Sequence, residues 1–366
     1  MTTKAKTKKV PDYLKDTVKK YGDIIKKGNT VLQEKGEYGV ISISPALDVG
    51  LGGGIREGCW LMLTGDPKSG KTTTAMQIAA NCIAEGRKVI YVDAEGRLKD
   101  LNFQVEGLDP SDMDIIAPVD KPLSAELLLE TSYKMLCDPE YHGAVLIIDS
   151  ISSLISEKEL DGDFSPRRAG LPKILSVFTK KVGQLLPSQR GLIIGITHYI
   201  SNTSGFGKSK MSDGGVKIQY QADTRLEIAH GGEGNPAVKA VVDENGKQVG
   251  QKINWRVVCS SMGPPGGNIQ SYIRYGHGID KTQEVIDLSL DLGLIEQRGA
   301  WFNCLFMWYT SMKKIAKKIK PELDFDNAEE VENGFKYQGI KKVRTLFDEN
   351  PELVKNLEKI IKESLL

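Results

Sequence analysis

A chain of 366 residues, 40% hydrophobic and with a formal net charge of +1, can bury a large core in two or three domains, and any polyanion must be met by local clusters of Lys and Arg. Its five cysteines, Cys59, Cys82, Cys137, Cys259 and Cys304, are odd in number and never spaced as CxxC, which speaks against a disulfide framework or a zinc site and for a reducing cytoplasm. The basic start MTTKAKTKKV leads into no apolar run and no segment nears the roughly 18 apolar residues that span a bilayer, so neither secretion nor a membrane is expected.

Over 10–27, Tyr13, Leu14, Val18, Tyr21 and Ile25 recur at helical spacing among lysines, which predicts an amphipathic helix behind a basic tail. Such a helix can pack on its own domain or dock on a neighbouring subunit. From about 44 to 230 apolar runs over 59–63, 88–92, 144–148 and 192–196 alternate with helical patterns over 72–84, 125–136 and 171–186. Unbroken apolar strands separated by helices predict a parallel sheet covered on both faces. Segments 224–228, 254–259 and 271–275 read as later strands of that sheet, with glycine-rich turns at 231–234 and 263–267. Beyond Gly278 the pattern turns helical and basic, with KKIAKKIK at 313–320, an acidic stretch to Gly334 and a last helix from about Pro351. A small C-terminal α-rich domain is expected there.

Gly65-Asp66-Pro67-Lys68-Ser69-Gly70-Lys71-Thr72 fits G-x-x-x-x-G-K-[ST] at every fixed position and lies between a predicted strand and a predicted helix. Glycines there let backbone N–H groups wrap a β-phosphate, and the helix offers its positive end. Lys71 reaches the β/γ oxygens and Thr72 ligates Mg²⁺, with Thr73 beside it. The apolar run from Ala144 to Ile148 ends in Asp149, a second candidate for holding Mg²⁺, the alternative being an aspartate that caps the next helix. A carboxylate must also orient water in line with the γ-phosphate. Glu95, past the end of the 88–92 strand, is the candidate general base, with Asp93 as the alternative.

Together with Ser44-Pro45-Ala46-Leu47-Asp48, Asp93-Ala94-Glu95, Ile148-Asp149-Ser150, Gly214-Gly215 and Tyr275-Gly276-His277-Gly278-Ile279, the phosphate loop makes the chain resemble the RecA family of DNA strand-exchange ATPases, nearest its UvsX-like phage members. The likeness resumes at Leu294-Ile295-Glu296 and Gly299-Ala300-Trp301, and again from Tyr337 onward. It implies an α/β fold: a RecA-like P-loop ATPase core with a central, mainly parallel sheet at 44–280. A basic tail and N-terminal polymerisation helix would occupy 1–43 and a small α-rich C-terminal domain 281–366.

By the same resemblance Glu95 takes the place of the family's catalytic glutamate and Tyr275 that of the aromatic near the adenine of ATP. Two DNA-binding loops would fall at 157–170, with Phe164, Arg167 and Arg168, and at 199–215, with Phe206, Lys208 and Lys210. Lysine and arginine there can meet phosphates and phenylalanine can stack on bases, although loops carry polar and glycine residues for backbone reasons too. Where many members have glutamine this chain has His198, a histidine that the UvsX-like members share, and it becomes a candidate sensor coupling the γ-phosphate to the DNA loop; the alternative is a histidine that caps a strand end. The family's lysine pair after Val-Val is replaced by Cys259, Ser260 and Ser261, so charge across a subunit boundary comes from elsewhere, with Arg256 and Arg274 as the candidates, or is absent. Lys99 or Asp100 takes the place of the family's adenine-side aspartate, and 304–334 has no counterpart. The KKIAKKIK helix either captures duplex DNA or is a solvated face.

The function implied is an ATP-dependent recombinase that forms filaments on single-stranded DNA and exchanges strands with homologous duplex in recombination and repair. ATP and Mg²⁺ are its cofactors. Its partners would be both DNA forms, further copies of itself, and single-strand-binding and mediator proteins. It would work in a bacterial cytoplasm, and the histidine leans towards a phage origin. A RecA-fold helicase ring and an ATP-binding filament coat with little hydrolysis are the alternatives.

Overall fold

Apolar side chains on both sides of the same strands decide the architecture. The computed structural model describes residues 15–21, 26, 28–162, 170–201, 210–212, 216–231, 240–242 and 245–365. Residues 1–38 and 39–366 are separate compact units. In the first, the expected helix is described over Lys15–Tyr21, and a second helix, Gly28–Lys35, follows. Its sequence GNTVLQEK holds only Val31 and Leu32 as apolar residues, too few to show a periodicity.

In the second unit β1 (Val40–Ile41) pairs antiparallel with β2 (Ile55–Arg56). The main sheet takes β3 (Cys59–Gly65), β4 (Val89–Asp93), β5 (Met113–Ile116), β6 (Val145–Asp149), β7 (Leu192–Ser201), β8 (Lys210–Ser212), β9 (Thr224–His230), β10 (Ala240–Val242), β11 (Gln248–Cys259), β12 (Asn268–Arg274) and β13 (Gly278–Ile279). Their order is β13-β12-β11-β9-β3-β7-β6-β4-β5, with β10 on β11 and β8 on β7. From β9 to β5 neighbours are parallel, and β11, β12 and β13 extend the sheet antiparallel.

Every residue of β3, β4 and β6 is buried, as strands covered on both faces must be. One face, with Leu61, Leu63, Ile147 and Ile194, packs on Ala75, Met76 and Ile78 of the helix Lys71–Ala84. The other, with Trp60, Met62 and Leu146, packs on Leu128 of the helix Ala125–Cys137 and on Phe178 and Val182 of the helix Leu171–Gln189. Trp60 meets Phe178 edge-on at 6.0 Å between ring centroids. β5 escapes a sequence reading because it is a four-residue edge strand with Asp114 and Ile115 exposed.

The region after Gly278 is helical as expected, with helices Lys281–Asp291, Lys313–Ile319, Ala328–Gly334, Ile340–Glu349 and Pro351–Leu365. It also holds an antiparallel sheet of β14 (Ile295–Arg298), β15 (Trp301–Cys304) and β16 (Lys336–Gln338), which the helical reading did not contain. The β14–β15 hairpin turns through Gly299 at φ 63°, a conformation that two-residue hairpins need and glycine supplies. Phe302, Cys304, Phe306, Phe335, Phe347 and Leu357 form the core of this lobe. Three of the KKIAKKIK lysines are met within the chain: Lys313 pairs with Asp326 at 3.0 Å, Lys318 with Glu352 at 3.7 Å, and Lys317 lies 5.7 Å from the Phe325 ring centre.

Buried polar contacts fasten this lobe to the sheet unit. Glu284, fully buried, accepts from Ala46 N at 3.0 Å, Ser44 Oγ at 3.2 Å and Ser271 Oγ, and burial pushes its carboxyl up to about 7. Asp48, also fully buried, meets Lys362 Nζ at 2.9 Å. Arg344 Nη1 donates to both oxygens of Asp280 at 2.8 Å.

Candidate nucleotide site

At the carboxyl edge of the parallel strands, β3 passes into the phosphate loop and the loop into the helix that begins at Lys71. A Cβ on Gly65 would lie 2.2 Å from the Ile228 carbonyl oxygen of β9, so only glycine lets the strand leave the sheet there. Gly70 has φ 101°, and a Cβ on it would lie 2.4 Å from Ile273 Cδ1. Gln251 Nε2 donates to the Lys68 carbonyl at 3.1 Å and holds the loop's apex, where Lys68 itself has φ 60°. Ser69 Oγ is buried inside the loop without a hydrogen-bond partner. A loop with glycine at both ends, an unengaged hydroxyl and a buried amine fits a phosphate group.

That amine is Lys71, 5% exposed, whose Nζ donates to the carbonyls of Gly65 at 3.0 Å and Asp66 at 2.8 Å. Burial lowers its pKa, against the opposing charges of Asp149, Asp66 and Glu95. Next to it Thr72 Oγ1 donates to Asp149 Oδ2 at 2.7 Å, and the Tyr91 hydroxyl donates to the same oxygen at 2.9 Å. Burial raises the Asp149 carboxyl more than these donors lower it. Hydroxyl and carboxylate side by side are the oxygen donors that suit Mg²⁺.

Three neighbouring parallel strands bring their ends to one carboxylate. Glu95 lies two residues past β4, and its Oε1 accepts from Ser150 Oγ at 3.0 Å and Ser153 Oγ at 3.3 Å, both beyond β6, and from His198 Nε2 of β7 at 2.9 Å. Burial would raise Glu95, but bonds from His198 and Ser150, with the nearby histidine and Ser153, outweigh it and hold the carboxyl below its usual range. Its other oxygen, Oε2, is 3.8 Å from Arg97 Nη1. Asp93, the other candidate, has both oxygens engaged by the backbone turn after β4, from Arg97 N at 3.2 Å and Leu98 N at 2.9 Å.

A cleft of about 770 Å³ opens over these groups, lined by Pro67, Lys68, Gly70, Lys71, Thr72 and Thr73 together with Asp93, Glu95, Asp149 and His198. Tyr275 forms part of its wall with its ring half exposed, and the Tyr275 hydroxyl accepts from Gln248 Nε2 at 3.0 Å. Gly65, Asp66 and Ser69 form the back of the loop. Leu101, Asn102 and Gln104 line the cleft, whereas Lys99 and Asp100 do not. Of the two arginines considered for the subunit boundary, Arg274 lines the cleft, 3.9 Å from Asp280, and Arg256 is paired with Glu227 at 3.5 Å.

Among the DNA-loop candidates, Phe164, Arg167, Arg168, Phe206 and Lys208 lie outside the described residues, and of Lys210 the backbone alone is described, in β8. The second loop leaves β7 and returns on β8, paired as Tyr199↔Ser212, Ile200↔Met211 and Ser201↔Lys210. Sequence reasoning missed Tyr91 and Arg97 in the cleft wall, and Ser150 and Ser153 as donors to Glu95. A phenol inside the aliphatic run Val89-Ile90-Tyr91-Val92 was the available signal for the first.

The family model of the RecA N-terminal domain matches residues 8–280. The chain is 25% identical over 368 residues to Protein RecA of Thermotoga neapolitana, spanning 98% of this chain and 94% of that one. To Protein RecA of Streptococcus uberis it is 30% identical over 305 residues, spanning 81% and 76%. To that of Streptococcus parasanguinis it is 29% identical over 265 residues, spanning 71% and 66%. With a phosphate-loop motif, an acid-ended strand and the carboxylate of Glu95 all on one sheet edge, and a family match over most of its length, the chain belongs to the RecA family.

Proposed function

We propose that this chain is an ATP-driven DNA recombinase, which assembles as a helical filament on single-stranded DNA, pairs it with homologous duplex and exchanges strands. Hydrolysis of ATP to ADP and phosphate would release the product. The observation that carries this reading is the course of β7: it meets the candidate base through His198 and, three residues on, reaches Ser201, where the loop opens towards β8. Three strand residues span roughly 10 Å, so nucleotide and DNA loop share one short lever.

Each residue then has a task. Lys71 exchanges its bonds to the Gly65 and Asp66 carbonyls for phosphate oxygens, with the N–H groups of the loop around them. Thr72 and Asp149 are the residues that would hold Mg²⁺, which when bound neutralises charge on the phosphates. Glu95, kept ionised and turned by its three donors on Oε1, presents Oε2 to the attacking water. Tyr275 offers a half-exposed ring to the adenine. Phe164, Arg167, Arg168, Phe206, Lys208 and Lys210 are proposed to meet DNA, with single-strand-binding and mediator proteins assisting. The work is set in a bacterial cytoplasm, and no helix among the described residues is long and apolar enough to cross a membrane.

Negative-stain images with ATP and single-stranded DNA should show open helical filaments, and phosphate release should rise when the DNA is added. Closed rings would give the helicase instead, and filaments without turnover the coat.

His198 offers a finer test. Its Nε2 is on Glu95 and its backbone N–H donates to Ser152 Oγ at 3.1 Å, so its place in the strand is held from both ends. His198→Ala is expected to retain ATP binding and some basal hydrolysis while losing most stimulation by single-stranded DNA. Coupling of the usual allosteric size, about 5–150-fold, should shrink towards one, equally for the effect of a non-hydrolysable ATP analogue on DNA affinity and of DNA on analogue affinity. Turnover with and without DNA, and the two reciprocal affinities, measure this. Full responses would leave His198 as a strand cap.

A further inference from the structure

The deepest polar group in the cleft wall is a phenol. Tyr91 is the middle residue of β4, 2% exposed, and belongs to the core cluster that packs on Ala75, Met76 and Ile78 of the phosphate-loop helix. A phenylalanine would fill this space without taking a hydroxyl out of water, so the hydroxyl needs a polar reason. Its partner is Asp149 Oδ2, at 2.9 Å, the oxygen that also accepts from Thr72 Oγ1 at 2.7 Å. In the register of the parallel strands Tyr91 stands opposite Ile147 and Asp93 opposite Asp149. The phenol therefore reaches two residues along the neighbouring strand, roughly 7 Å, a distance suited to a side chain of this length.

We infer that Tyr91 is a positioning residue for the Mg²⁺ site, acting through Asp149. Its hydroxyl and that of Thr72 converge on one carboxylate oxygen, which fixes the rotation of the carboxylate and leaves its other oxygen with neither bond. In this role Tyr91 itself need touch neither nucleotide nor metal. It acts as the outer partner that orients a ligand, a class of contact whose removal costs roughly 10–100-fold in metal affinity.

This inference rests on the ATP and Mg²⁺ reading, and the test separates the two. A fluorescent, non-hydrolysable ATP analogue is titrated into the whole protein across a range of free Mg²⁺, from chelator upward. If the parent binds no analogue, or binds it with no Mg²⁺ dependence, both readings fall. Given a Mg²⁺-dependent parent, Tyr91→Phe should leave the metal-free affinity unchanged and raise the Mg²⁺ needed for half of the gain about tenfold. A Mg²⁺ curve identical to the parent's overturns the inference. So does an equal loss with and without metal, which would mark Tyr91 as core packing only. Because Thr72 still donates to Asp149 in the variant, no buried group is orphaned, and its melting temperature should stay within a few degrees of the parent's. In an Asp149→Asn background the same Phe substitution should add less than it does alone, and full additivity would place Tyr91's action elsewhere.

Discussion

Glu95→Gln should bind ATP as the parent does and hydrolyse it roughly 10²–10⁴-fold more slowly, the usual contribution of a positioned base. The amide oxygen can still accept from His198, Ser150 and Ser153, so the network on Oε1 survives, while the oxygen facing Arg97 becomes an NH₂ that cannot take up a proton. Analogue affinity separates from phosphate release in this variant and in no simple misfolding. Because turnover releases DNA in the proposed cycle, its filaments should outlast the parent's when free ATP is diluted. Normal turnover would return the role to Asp93 or another acid, although the Asp93 oxygens are engaged by the turn that carries Glu95 into place.

Lys71→Ala should abolish measurable hydrolysis, by at least the roughly 10²–10³-fold that one lost donor to a developing charge costs, and weaken ATP binding as well. No other side chain of the loop sits on the Gly65 and Asp66 carbonyls as this amine does. The fold should not suffer. Burial already works against the charged amine in the free protein, and relief of that cost offsets the loss of its bonds to the Gly65 and Asp66 carbonyls, so the variant should melt within a few degrees of the parent. Unchanged turnover would sink the nucleotide assignment. A lower melting temperature would show that Lys71 also braces the loop.

The central sheet and the nucleotide cleft were legible because their signals are local. The phosphate loop is contiguous, and Glu95, Asp149 and His198 each stand at or past the end of an apolar run, which parallel strands bring to one edge. The choice between Glu95 and Asp93 was not local, since it depends on the hydrogen bonds each makes, and those follow from the turn at 96–98 and from β6 and β7. Tyr91 and Ser153 were hidden for the same reason: their partners lie 58 positions away along the chain. The β14–β15–β16 sheet was missed because its third strand comes after the two intervening helices 313–319 and 328–334, so no local alternation announces it.

The fastening of Asp48 and Glu284 sets a clock on the protein's birth. Ser44 waits for Glu284, 240 positions later, and Lys362, which neutralises Asp48, also reaches Ser42 Oγ across 320 positions at 3.5 Å. At about 5–20 residues per second a ribosome needs roughly 15–60 s to cover that span. For all of that time Asp48 lacks the cation that pairs with it in the folded protein. Leaving such a charge unpaired costs about 3–5 kcal/mol, a large share of a domain's stability. A nascent chain can shape its phosphate loop early, yet it cannot lock the start of the ATPase unit until residue 362 has been made. A fragment that stops short of Lys362 therefore carries Asp48 without its cation, and should melt lower than the whole chain.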